Sequence, residues 1–167
     1  GNDVLIGTVG DDILDGGTGA DVIYSGSGSD TVVIRSGDGS TTLANGDVVA
    51  DFSDGSDVLG MASVNFDDLT IAQGSGSYAS HTLISITSSG EYLVILQNIT
   101  ASNITALDFA STSTSSQILS GTSGNNTLIG GAGNDTLTTG TGNDTLLASA
   151  GNDAITVDGT GNKTIDG

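Results

Sequence analysis

A chain of 167 residues holds 20 Asp and Glu against 2 Lys and Arg, a formal charge of −18, with no cysteine, proline or tryptophan. Zinc–thiolate centres, disulfides and cysteine nucleophiles are excluded without a thiol. With only Arg35 and Lys163 to meet phosphates, neither nucleic acid nor an anionic membrane surface is a partner, and no apolar run reaches the ~18 residues of a membrane helix.

Residues 1–39 are organised by a period of nine. Gly1, Gly10, Gly19, Gly28 and Gly37 recur in one phase, Asp3, Asp12, Asp21 and Asp30 follow two residues later, and Leu5, Leu14, Ile23 and Val32 two residues later again. Glycine allows a tight turn with positive φ and leaves carbonyls uncovered. The residues after each Asp read as a short strand whose middle side chain points inward. Nine residues make half a coil and eighteen a full coil. One inward aliphatic per half-coil cannot fold alone, whereas stacked coils share a continuous core.

Residues 40–116 lose this grammar but stay β-like. Two apolar runs flank Gly90 and predict a hairpin with strands near 81–87 and 92–97. Short helical turns are predicted at 66–69 and 104–109, the second capped by Asn103 or Ser102.

Residues 117–167 repeat the nine-residue unit. Gly124, Gly133, Gly142 and Gly151 are followed by Asn126, Asp135, Asp144 and Asp153, and then by Leu128, Leu137, Leu146 and Ile155. Carboxylates one coil apart repel, so such columns need a cation between them. A set made only of carboxylate and carbonyl oxygens suits Ca²⁺, which takes six to eight oxygen ligands.

The expected ligands are the carboxylates of Asp3, Asp12, Asp21, Asp30, Asp135, Asp144 and Asp153, with Asn126 as a weaker member. The glycines Gly1, Gly10, Gly17, Gly19, Gly26, Gly28, Gly131, Gly133, Gly140, Gly142 and Gly151 supply the turns and their carbonyls. Pairing by one coil gives three complete carboxylate pairs, Asp3/Asp21, Asp12/Asp30 and Asp135/Asp153, which are expected to hold ions most tightly. The pairs Gln117/Asp135 and Asn126/Asp144 are half-strength. Asp21 is expected to have Asp3 in front of it and only Gly39 behind. Lys163 takes the Asp phase one coil after Asp144, following a single extra residue. Its ammonium either substitutes for calcium by bridging Asp144 or Asp158, or snorkels into solvent.

The units GGTGADVIY (residues 16–24) and GGAGNDTLT (residues 130–138) match GGxGxDxUx and resemble the RTX calcium-binding nonapeptide repeat. The resemblance implies an all-β fold: a parallel β-roll in two blocks, 1–39 and 117–167, with a β-rich segment 40–116 between them. It implies several Ca²⁺ ions and a secreted, extracellular or cell-surface protein of a Gram-negative bacterium, exported by type I secretion. The stretch DVVADFSDGSDVLGM (residues 47–61) is similar to a segment that follows the repeats in serralysin-type proteins, which makes Asp47, Asp51 and Asp57 either calcium ligands or turn caps. The composition resembles RTX surface-layer proteins. The implied role is therefore a calcium-folded structural part of a surface layer, filament or adhesin, with copies of itself as partners. The alternative is a carboxy-terminal folding and secretion module of a lipase, metalloprotease or alginate-modifying enzyme. Both readings place the chain within a longer protein.

No catalytic constellation emerges, and the chain is read as a non-enzyme. His81 is the only histidine, no G-x-S-x-G elbow exists, and the Gly-rich turns lead to Asp rather than into a dinucleotide-binding helix.

Overall fold

The aliphatic that follows each Gly–Asp turn lies in a short strand, and equivalent strands stack in parallel one coil apart. The computed structural model describes residues 1–167, which form two units: 1–64 with 68–109, and 65–67 with 110–167. The chain is all-β, a parallel β-roll, with no α-helix.

The first unit contains β1 (Val4–Val9), β2 (Ile13–Leu14), β3 (Val22–Ser27), β4 (Thr31–Arg35), β5 (Asp47–Val49), β6 (Val58–Ala62), β7 (Leu69–Gln73), β8 (Thr82–Ile86) and β9 (Tyr92–Leu96); β10 (Phe109–Ser111) starts at its last residue. One sheet runs β1–β3–β5–β9–β8–β7 and the facing sheet contains β6–β4–β2. Val4 pairs with Val22 and Ile13 with Thr31, the eighteen-residue coil expected from the repeat. The next step is longer. Val22 pairs with Val48 and Thr31 with Val58, yet both contacts stay parallel and in register.

Residues 40–64 and 68–109 belong to the same unit as the first block. Their strands β5, β6 and β9 extend the same two faces, because Val49 and Leu96 continue the buried row of Ile23 and Leu59 continues that of Val32. All five are at most 1% exposed. Burying side chains of this size stabilises by ~1.5–3 kcal/mol each, which offsets the ordering cost of a Gly-rich backbone. The roll then reverses into an antiparallel hairpin, β8 against β9, around Gly90 at φ 70°. The helical turns are all 3-10: Leu43–Asn45, Phe66–Asp68, Gly76–Tyr78, Ala101–Asn103 and Ala106–Asp108. The last is capped by Thr105 rather than Asn103 or Ser102. Thr105 and Asp108 hydrogen-bond each other's backbone reciprocally, an arrangement that a Thr three residues before an Asp provides.

The second unit has β11 (Ile118–Ser120), β12 (Thr127–Ile129), β13 (Thr136–Thr138), β14 (Asp144–Leu147), β15 (Ala154–Thr156) and β16 (Lys163–Asp166). They form two three-stranded parallel sheets, β11–β13–β15 and β12–β14–β16. Leu137, Leu146 and Ala148 are fully buried, with Leu119, Leu128 and Ile155 packed against them. Burial peaks in the middle coil because it alone has a neighbour on both sides.

The second unit contains one irregular step. Asp144 pairs with Lys163, nineteen residues on. The extra residue is absorbed opposite Thr139. The Thr139 hydroxyl accepts from the Asp158 N–H and donates to the Asp158 carbonyl, both at 2.7 Å.

Candidate metal centre

The Asp of each turn is fixed by the coil before it. One carboxylate oxygen accepts the backbone N–H of the residue at the same phase one coil earlier. Asp3 N donates to Asp21 Oδ1 at 2.7 Å, and Asp21 N donates to Asp47 Oδ1 at 2.9 Å. Asp12 N donates to Asp30 Oδ1 at 2.9 Å, and Asp30 N to Asp57 Oδ1 at 3.2 Å. In the second unit Gln117 N meets Asp135, Asp135 N meets Asp153, and Asn126 N meets Asp144, at 2.7, 2.8 and 2.9 Å. These bonds are the physical form of the columns. They also correct one expectation: the residue behind Asp21 is Asp47, not Gly39, because the intervening turn loops out without disturbing the register of β3 and β5.

The second carboxylate oxygen distinguishes the turns. Asp12 Oδ2 accepts Thr8 N at 3.1 Å, and Asp135 Oδ2 accepts Gly131 N at 2.8 Å. Asn126 Oδ1 likewise accepts Thr122 N at 2.7 Å, while its amide donates to Asp67 at 3.1 Å. Asp21 and Asp30 are different. They are 1% and 0% exposed, and their Oδ2 atoms have no hydrogen-bond partner. The N–H groups at the corresponding positions of their own turns are drawn elsewhere: Gly17 N donates to Asp15 at 3.2 Å and Gly26 N to Asp51 at 3.2 Å. A buried carboxylate oxygen with no donor costs several kcal/mol unless a cation meets it.

The repeat glycines bring carbonyls of successive coils into the same rows. A Cβ at Gly19 would strike the Gly1 carbonyl, one at Gly28 the Gly10 carbonyl, one at Gly142 the Gly124 carbonyl and one at Gly151 the Gly133 carbonyl. Gly26, Gly131 and Gly140 pack in the same way on the carbonyls of Thr8, Ser113 and Thr122. No three His, Asp or Glu side chains converge on one point, so a cation here would draw most of its ligands from backbone carbonyls. Oxygen-only donors of that kind fit Ca²⁺.

Of Asp47, Asp51 and Asp57, the last two act as caps. Asp51 accepts from Ser25 N and Gly26 N, and the Asp57 oxygen left over from Asp30 accepts from Ser53 N at 2.9 Å and Ser25 Oγ at 3.0 Å. Asp47 is 8% exposed; burial, together with the neighbouring Asp21 carboxylate, pushes its carboxyl up to about 6.

Both basic side chains are used internally. Arg35 holds Asp15 at 2.6 Å and Asp38 at 2.8 Å, and its hydrogen bond keeps the Asp15 carboxyl below the usual range. Lys163 Nζ lies 2.7 Å from Asp144 Oδ2, 2.8 Å from Gly140 O, 2.7 Å from Gly142 O and 3.1 Å from Thr160 O. The alternative partner, Asp158, instead accepts the N–H of Gly159.

Several working residues carry no signal in the repeat grammar. Ser25 is fully buried between Asp51 and Asp57, and Glu91 accepts the N–H groups of Gly37 and Gly39 at 2.8 and 3.0 Å from 54 and 52 residues away. Neither pairing has a periodic spacing by which to find it.

The family described as RTX calcium-binding nonapeptide repeat (4 copies) matches residues 1–32 and 120–155. Comparison with curated proteins gives no match. Among solved structures, the chain is similar to the solution structure of the AlgE6R3 subunit from the Azotobacter vinelandii mannuronan C5-epimerase. The identity is 25% and the TM-score 0.47, over 66% of this chain and 68% of that one.

Proposed function

We propose that the chain, whose residues 1–32 and 120–155 match the RTX calcium-binding nonapeptide repeat, is a calcium-folded structural module of a secreted or cell-surface protein. The observation that carries this reading is the pair of buried, partnerless oxygens on Asp21 and Asp30. Each costs several kcal/mol in a metal-free fold, and the net stability of a small domain is only ~5–15 kcal/mol. Ca²⁺ bound there would supply the positive charge that lets these carboxylates be buried ionised. Asp21 with the carbonyls of its glycine turn, and Asp30 with those of the turn at Gly26 and Gly28, are the ligand groups assigned to it.

The physiological consequence follows from linkage. Binding to the folded state alone makes stability rise with free calcium. At cytosolic calcium the acidic chain stays open for export from a Gram-negative cell, and outside the cell it orders. The surplus of carboxylates over basic groups and the Ser/Thr-rich surface support a role as body material of a surface layer, filament or adhesin.

Far-ultraviolet circular dichroism in chelator and then in millimolar Ca²⁺ tests the folding claim. A disordered spectrum that turns β on adding calcium is expected; a full β spectrum in chelator contradicts it. Negative-stain imaging of the calcium-loaded chain tests the scaffold role, with lattices or filaments expected and dispersed single particles contradicting it.

A further inference from the structure

Lys163 is the only lysine of the chain, and it stands at the Asp phase of its turn. Its side chain is 8% exposed and that of Asp144 fully buried, so the pair is not a surface ion pair. Every near partner of the ammonium is an oxygen. Three are backbone carbonyls, those of Gly140 and Gly142 in one turn and of Thr160 in the next, and the fourth is Asp144 Oδ2. Gly140 and Gly142 occupy the same two phases as Gly17 and Gly19 before Asp21, and Gly26 and Gly28 before Asp30.

The carboxylates correspond too. In Asp144, Asp21 and Asp30 alike, one oxygen accepts an N–H from the previous coil. The remaining oxygen meets Nζ at 2.7 Å in Asp144 and meets nothing in Asp21 and Asp30. A compact ammonium with three donors can satisfy such a ring of carbonyls; a planar guanidinium would not fit it as well. The extra residue opposite Thr139 is what sets Lys163 level with Asp144.

We propose that Lys163 is a resident cation: its ammonium fills at the Asp144 turn the place that a divalent ion of the Ca²⁺ class fills at the Asp21 and Asp30 turns. The last half-coil, residues 159–166, is thereby closed onto its neighbour without metal, and its column ends in a charge the chain itself provides. This proposal rests on the calcium reading of the columns given above. It also makes the final half-coil the part of the roll whose closure does not depend on calcium concentration.

Calorimetric titration of the whole chain with CaCl₂ tests it, comparing the parent with Lys163→Ala and Lys163→Asp. Each variant vacates the ring of oxygens, and each is expected to bind one more ion than the parent. Two variants are used so that a failure of Lys163→Asp to fold leaves the smaller substitution to decide. In calcium, the parent's Lys163 is also expected to react with an amine-acetylating reagent roughly tenfold more slowly than the same lysine in a peptide of residues 158–167. A parent that binds calcium while both variants bind the same number of ions overturns the proposal alone, as does a Lys163 that reacts like the free peptide. A parent that binds no calcium overturns the functional reading and the proposal together.

Discussion

The backbone N–H of Asp21 donates to Asp47 Oδ1 at 2.9 Å, making the two residues successive members of one carboxylate column although 26 residues separate them. The sequence period breaks at this step, while the spatial period of the coil does not. Asp30 and Asp57 repeat the relationship across 27 residues on the facing side. The first roll therefore continues beyond its repeats, and both of its orphaned carboxylates lie inside it rather than at its end.

Removing the charge at either orphaned position should remove one ion. In Asp21→Asn the side chain keeps an oxygen for the Asp3 N–H, so the coil contact survives while the ionic ligand is lost. Calcium stoichiometry measured by calorimetry is expected to fall by one in Asp21→Asn and by one in Asp30→Asn. A stoichiometry equal to the parent's in both would show that these oxygens are not ligands.

Asp47 gives the metal-free chain a pH dependence of definite sign. Burial raises its folded-state carboxyl to about 6, above the ordinary 3.8 that it has when unfolded. Between those values the folded state binds the extra proton, so stability falls as pH rises through this window and recovers as pH drops. In chelator, acidification from pH 7 to pH 5 is expected to shift the parent toward its folded β signal. Asp47→Asn should lose part of that shift, because its amide is uncharged at both pH values. An equal response in the two proteins would contradict the assignment.

The repeats could be read from the sequence because a period of nine and an inward aliphatic are local properties, and the structure places Ile23, Val32, Leu137 and Leu146 in the core where that period puts them. Lys163 was legible as well, since its phase against Asp144 can be counted. The orphaned oxygens of Asp21 and Asp30 were not, because nothing in the repeat shows that Asp15 and Asp51 draw away the neighbouring N–H groups. By phase alone Asp135 ranked with Asp21, yet its second oxygen is occupied by Gly131 N. The pairing partners of β5, β6 and β9 were hidden for a related reason. Loop lengths vary freely where only the ends must register, and the resulting pairings leave no spacing to count.

Two glycine substitutions separate close packing from backbone freedom. Gly28 has φ 148° and a Cβ there would collide with the Gly10 carbonyl, whereas Gly17 has φ 69° with open space around it. Gly17→Ala is expected to cost ~1 kcal/mol from backbone strain alone. Gly28→Ala must in addition push two coils apart, and should lower the thermal midpoint in calcium by clearly more. Equal midpoints for the two variants would contradict the coil contact.

Leu146 is 0% exposed in the middle coil of the second unit. Leu146→Ala is expected to destabilise that unit by ~2–5 kcal/mol in calcium, the range for a buried cavity that cannot fully collapse. Ile155 is packed only at the edge of the same cluster, and Ile155→Ala should cost less in the same denaturant titration. The reverse order would place the core elsewhere.

The most direct test is anomalous diffraction at long wavelength from crystals of the chain grown in millimolar CaCl₂. Calcium peaks are expected against the free oxygens of Asp21 and Asp30, each completed by carbonyls of the glycine turns. A structure grown in calcium with no peak at either carboxylate would contradict the calcium reading.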